Sequence, residues 1–161
     1  MAASTARRRE FGRAHDSLRP VPNDRLEIRS DPVKGRGVFA VAPIVAGTLI
    51  EAAPVILVPA AQCALIDQTI LHDYYFDWDG EADGAPNNAP DNASGGAAWG
   101  EGRGAVALGL VALCNHSRRP RARVRRNVPQ CTLDLVALVP IAAGDEVTID
   151  YNCPLWFQAQ D

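Results

Sequence analysis

"LCNHSRRP", residues 113–120, closes an apolar run, "AVALGLVAL", and passes directly into three polar side chains, Asn115, His116 and Ser117. Polar groups at the edge of a core must find hydrogen-bond partners. Asn115 can donate and accept through one amide, His116 can act as acid, base or ligand, and Ser117 can cap a turn. Cys114 and His116 offer the chemistry of a hydrolytic pair, but no nucleophile elbow surrounds them. The plainer reading is a set of satisfied polar residues at the border of the core.

Around this segment the chain reads as many short strands. "RLEIRS" alternates, with Leu26 and Ile28 on one face, and "DPVKGRG" is a turn feeding "VFAVA". "TLIEAAPVILVP" is strand-like but interrupted by Pro54, and "RARVRR" suggests a strand with a basic outer face. "TLDLVALVP" and "DEVTIDY" follow; in the latter Val147, Ile149 and Tyr151 share one face. One helix is expected within "AAQCALIDQTILHDYYF", where Leu65, Ile66, Thr69, Ile70 and Asp73 fall at helical spacing. Residues 77–104 form a long loop of Gly, Pro, Asn and Asp, and long loops in compact domains are functional or disordered. The expected class is mainly β.

"PIVAG", from residue 43, and "PIAAG", from residue 140, share four of five letters. Both read as glycine turns feeding a strand. They are expected at opposite ends of one domain, bracketing the chemistry.

A chain of 161 residues with 47% apolar and 22% charged residues has the makeup of one soluble globular domain. No apolar run approaches the roughly 20 residues of a membrane span. Arg7, Arg8, Arg9 and Arg13 stand in a start with no apolar signal region, so residues 1–24 are expected to be a flexible tail. Cys63, Cys114, Cys131 and Cys153 form no C-x-x-C pair, which argues against structural zinc and for reduced thiols in the cytoplasm. Between Asp67 and Glu101 there are eight acidic residues and no Lys or Arg, whereas "RRPRARVRR" is strongly basic. An acidic segment beside a groove attracts a basic peptide, though either stretch alone is equally a solvated face.

Four segments taken in order carry more than any of them alone. "GRGVFA", then "I-x-x-G-x-x-I-E", then "ALG-x-x-x-L-x-NHS-x-x-P", then "I-x-x-G-(D/E)-E-x-T-I-x-Y" resembles the SET domain family of protein-lysine methyltransferases, from about Leu26 to Trp156. The compact length is similar to the small standalone SET proteins of viruses and bacteria. The resemblance implies a β-clip-like fold of several small sheets, one short helix and a knot-like C-terminal threading. It implies one SET domain over 25–161, with a variable acidic insert at about 61–104.

The resemblance also implies S-adenosylmethionine as cofactor and a basic protein or peptide, histone-like or ribosomal, as substrate. Gly35, Arg36 and Gly37 would contact the cofactor, joined by Asn115, His116 and Trp156. Tyr151 matches the family's terminal tyrosine at the methyl-transfer site, and Tyr74 is the second channel residue, with Tyr75 the alternative. The sequence departs from the family pattern in four places: Arg118 follows "NHS", Arg121 follows the proline, Leu155 precedes Trp156, and Cys153 alone remains of a zinc cluster. No metal and no membrane are expected, and a homodimer is left open. The rival functions are a non-catalytic SET-fold peptide binder and a nucleic-acid binder using Arg121, Arg123, Arg125 and Arg126. Net charge of −3 and few interleaved aromatics weigh against the latter.

Overall fold

The computed structural model describes residues 23–79 and 102–152. Two sheets carry the fold. β1 (Leu26–Asp31) and β2 (Gly35–Ala40) form an antiparallel hairpin, in which Leu26 faces Ala40 and Asp31 faces Gly35. β3 (Leu49–Val58), β4 (Tyr75–Asp77), β5 (Gly104–Ala107), β6 (Ala122–Asn127) and β7 (Thr132–Ala137) form an antiparallel sheet in the order β4-β5-β3-β7-β6.

Pro54 does not end β3. The strand pairs with β7 up to Pro54 and with β5 from Val55 onward, so the missing N–H falls at the joint between the two ladders. Between the sheets lies a core of aliphatic side chains, among them Val38, Ile50, Leu133, Leu135, Val147 and Ile149. Burying each contributes roughly 1.5–3 kcal/mol.

The expected helix is shorter than its periodicity suggests. α1 spans Ala60–Ile66, a separate 3-10 turn covers Ile70–Tyr74, and Tyr75 already belongs to β4. Thr69 breaks the run by turning extended, and its hydroxyl accepts from the Leu71 amide at 3.2 Å. The apolar stripe was misleading, since Leu65 is 64% and Ile70 78% exposed. Among the described residues no helix is long and apolar enough to cross a membrane.

The two glycine turns do not stand at opposite ends of the domain; they face each other. Ile44 and Ile141 exchange both backbone hydrogen bonds, at 2.8 and 2.9 Å. Gly47 donates to Ala137 at 2.8 Å and Gly144 to Ala40 at 2.7 Å. Ala137 donates to Thr48, as Ala40 does to Asp145. Every bond of one copy thus has its counterpart in the other, a local two-fold. Both glycines sit at positive φ, +82° and +88°, where a side chain would be strained.

"DEVTIDY" is not a ladder strand. Val147 and Ile149 are fully buried as alternation predicts, but the segment is held by isolated bonds to three separate parts of the chain. Val147 donates to Val38, Ile149 to Asn115, and the Thr148 carbonyl accepts from Ala122. Ser117 donates back to the Ile149 carbonyl, making a parallel bridge between His116 and Ile149.

The basic strand β6 is largely matched from within. Arg125 meets the buried Asp134 at 3.5 Å, Arg126 donates to the Trp78 carbonyl at 3.1 Å, and Arg121 pairs with Asp145. Of the four arginines offered as a phosphate-binding face, Arg123 is the exposed one.

Candidate functional site

The site is built where 102–117 passes between the hairpin and the threaded segment. Gly109 precedes a 3-10 turn, Leu110–Leu113, whose first amides are met by a carboxylate from far away in sequence. Buried Glu51 accepts from Leu110 at 3.0 Å and from Val111 at 2.8 Å. A charged acceptor on two otherwise orphaned amides is a strong tether. A Cβ at Gly109 would fall 2.7 Å from that carboxylate and from Ala53, so only glycine fits.

The turn delivers Cys114, Asn115 and His116 to the threaded segment. The Tyr151 hydroxyl donates to the Cys114 carbonyl at 3.1 Å, and the Tyr151 amide donates to His116 Nδ1 at 3.2 Å. The two rings meet edge to face, 5.3 Å apart. Nδ1 is therefore an acceptor, and the ring proton belongs on Nε2. Asp150 lies 3.8 Å from the same Nδ1.

The hairpin forms the second wall. Asp31 accepts from the Val33 and Lys34 amides at 2.7 and 2.8 Å, and these amides, the Lys34 one foremost, hold its carboxyl below the usual range. Gly35 follows at φ +78°. Arg36 donates to the Tyr74 hydroxyl at 3.3 Å, joining the hairpin to the 3-10 turn at Ile70–Tyr74.

Together these elements enclose a cleft of about 590 Å³. Of the sequence-selected residues it gathers Gly35, Arg36, Tyr74, Asn115, His116 and Tyr151 into one lining. Asp31, Lys34 and Asp73 line it as well. The volume suits a single small-molecule ligand.

Gly37 does not line the cleft. It is buried behind it, where an added Cβ would lie 2.5 Å from Glu146 Oε1 and 2.8 Å from Asn115 Nδ2. Tyr75 points elsewhere: it is buried, and its hydroxyl donates to Asp67 at 2.8 Å. Burial foremost, and then that carboxylate, push its pKa far upward. Trp156, like Cys153, Leu155 and Phe157, lies outside the described residues.

The hydrolytic pair fails on the thiol. Cys114 is buried, with Sγ 3.8 Å from the Leu110 carbonyl, and burial followed by the nearby Glu51 charge push its pKa far upward. A thiol kept protonated is no nucleophile.

The acidic stretch is also mostly engaged. Asp67 serves Tyr75 and His72, and Asp79 binds Arg103 through both side chain and amide. Glu81, Asp83, Asp91 and Glu101 lie outside the described residues. Among the described residues of that stretch, Asp73 is the acid that reaches the cleft.

Two residues that matter here were never chosen from the sequence, Glu51 and Glu146. Each is the acidic letter of a quoted motif, "I-x-x-G-x-x-I-E" and "G-(D/E)-E", and that was the available signal.

Comparison with known proteins matches the SET domain family model over residues 35–152. A curated relative from Schizosaccharomyces pombe, a histone-lysine N-methyltransferase specific for H3 lysine-37, is 31% identical over 140 residues, covering 86% of this chain and 81% of the relative. Two solved structures share the fold. A Plasmodium falciparum protein described as a histone methyltransferase has a TM-score of 0.53 at 21% identity, over 83% of this chain and 97% of its own. The Neurospora SET domain protein DIM-5, a histone lysine methyltransferase, has a TM-score of 0.57 at 18% identity, over 84% of this chain and 55% of its own.

Proposed function

The chain belongs to the SET-domain family and is a protein-lysine methyltransferase, and we propose that it moves a methyl group from S-adenosylmethionine to a lysine of a basic protein tail within the cleft described above. The single observation that supports the placement is the convergence of Gly35, Arg36, Tyr74, Asn115, His116 and Tyr151 on one lining from four distant parts of the chain. Residues 25–161 are taken as the catalytic unit. The relative's H3 lysine specificity makes a histone-like tail the first substrate to try, with ribosomal proteins second.

The lining suits the cofactor. Its volume falls in the range of a nucleoside-sized ligand. Gly35 leaves the hairpin backbone open, with nothing within 4 Å of where a Cβ would stand. The lining carries both signs, Asp31 and Asp73 beside Lys34 and Arg36, as a ligand with a cationic and an anionic end requires. When bound, S-adenosylmethionine supplies a methyl carbon activated by a sulfonium, so the protein needs only to align it with a neutral amine.

The chain's own residues do that aligning. Tyr151 holds its hydroxyl on the Cys114 carbonyl, leaving the oxygen's lone pairs to accept from an amine N–H. Tyr74, steadied by Arg36, supplies the facing aromatic wall. A lysine with free pKa of about 10.4 must shed its proton first, and a neighbouring sulfonium charge would favour the neutral form. No strong general base is then required. His116, with Nδ1 occupied by the Tyr151 amide, serves to hold Tyr151 in place. Asp31 and Asp73 draw a basic tail toward the opening. A cytoplasmic setting belongs to the same proposal, and the free thiols of Cys63, Cys114 and Cys131 agree with it.

The test is incubation with labelled S-adenosylmethionine and core histones or ribosomal proteins, comparing wild type with Tyr151→Phe. Wild type is expected to label lysine, and the variant to lose about a hundredfold or more in kcat/KM, the scale of a lost aligning group. Equal labelling by the two proteins overturns the role of Tyr151.

A further inference from the structure

Glu146 stands behind the cleft wall rather than in it. Asn115 Nδ2 donates to its Oε1 at 2.7 Å, and Lys34 Nζ lies 3.5 Å from its Oε2. A carboxylate accepts and cannot donate, so the side of the Asn115 amide that faces it must be the NH₂ group. The carbonyl Oδ1 is thereby turned the other way, and among the described residues nothing is seen to donate to it. Asn115 itself lines the cleft. Behind the pair, the missing side chain of Gly37 lets β2 close against both groups.

Lys34 is the single lysine in a chain with fifteen arginines, so its identity runs against the composition. The chemistry gives a reason. An ammonium is a point charge that satisfies one carboxylate oxygen and leaves the other for Asn115. A guanidinium is a fork that takes both oxygens at once and would displace the amide.

We infer that Glu146 is a positioning residue: it fixes the Asn115 amide with its oxygen toward the cleft, as an acceptor for the ammonium at the amino-acid end of the ligand, while Lys34 keeps the carboxylate paired. The inference rests on the cofactor reading above. Its consequence is that cofactor affinity depends on a residue that never touches the cofactor.

The test is calorimetric titration of the full chain with S-adenosylhomocysteine. Glu146→Gln, which can present either end of its own amide and so no longer dictates how Asn115 faces, should weaken binding about tenfold, the scale of one hydrogen bond. In turnover the loss should fall on KM for S-adenosylmethionine and not on kcat. In an Asn115→Ala background the same change should add less than about a further twofold, since the two effects share one route. Lys34→Arg, which preserves every charge, should weaken binding severalfold and carries the test should Glu146→Gln fail to fold. Wild-type affinity in Glu146→Gln or, if that variant does not fold, in Lys34→Arg overturns the inference, as does a Glu146→Gln loss that persists in full without Asn115. A wild-type chain that binds no S-adenosylhomocysteine overturns the functional reading and this inference together.

Discussion

The glycine turns at 43–47 and 140–144 share their shape and their hydrogen bonds, yet they lead into opposite kinds of backbone. The first opens into β3, ten residues long and paired on both edges. The second opens into 145–151, which builds no ladder and is stitched residue by residue to Val38, Asn115 and Ala122. The letters after each turn account for the difference. "TLI" continues an apolar, β-forming run, while "DE" carries a charge directly into a space already claimed by Asn115 and Lys34. The copy that satisfies its backbone in ladders supports the core. The other leaves its backbone available to the site, and Tyr151 is set by it.

The largest effect expected from this comparison is on stability. Ile44→Ala and Ile141→Ala each remove a buried side chain at the local two-fold and should each cost about 2–5 kcal/mol in urea unfolding. Because the two positions pair, the double variant should depart from the sum. A large cost at one and almost none at the other would show that the symmetry is of shape only.

Next come the two carboxylates. Glu51→Gln leaves one of the two amides facing an NH₂ group and the other with only a neutral acceptor, and should lower stability by about 1–3 kcal/mol. Glu146→Gln should instead act on cofactor affinity, with the unfolding midpoint little moved. The opposite pattern would break the division between a supporting half and a functional half.

Gly47→Ala and Gly144→Ala should each cost about 1 kcal/mol, and the two values should agree, because both residues have positive φ and open space around them.

The smallest effect lies outside both copies and serves as a control. Arg103, through its side chain first and its amide second, holds the Asp79 carboxyl down to about 2. A carboxyl depressed in the folded state adds stability above its unfolded value, near pH 4, and loses it as pH falls toward the folded value. Asp79→Asn should therefore flatten the decline of Tm between about pH 4 and pH 2. The change should be slight, because the pair is solvent-exposed and screened.

Much of the site was legible from one sequence because its residues sit in short motifs whose order is informative. Asn115, His116 and Tyr151 meet as that order implies, and Tyr74 joins them. What periodicity misjudged was anything decided by a distant partner. Thr69 and Asp67 end the helix because of a hydroxyl cap and Tyr75, neither of which an apolar stripe reports. "DEVTIDY" alternates like a strand, and the alternation does bury Val147 and Ile149, but periodicity cannot say whether a neighbour strand exists. Gly37 was expected at the cofactor and does not line the cleft, because Glu146 and Asn115, from far along the chain, pack against it. Arg121, Arg125 and Arg126 looked like part of a free basic face, but Asp145, Asp134 and the Trp78 carbonyl pair with them, leaving Arg123 exposed.

The threaded segment has a consequence for how the molecule comes into being. Val147 joins Val38, and Ile149 joins Asn115, across long stretches of chain that must first be in place. Contacts between residues so far apart in sequence are slow to close, because loop entropy opposes them until the rest of the core rewards them. Tyr151 is set by these late contacts, since its amide and hydroxyl engage His116 and Cys114. A partly folded chain is therefore a chain whose cleft lacks its Tyr151 wall. On the function proposed above, activity is expected to arrive with the final step of folding and not before it.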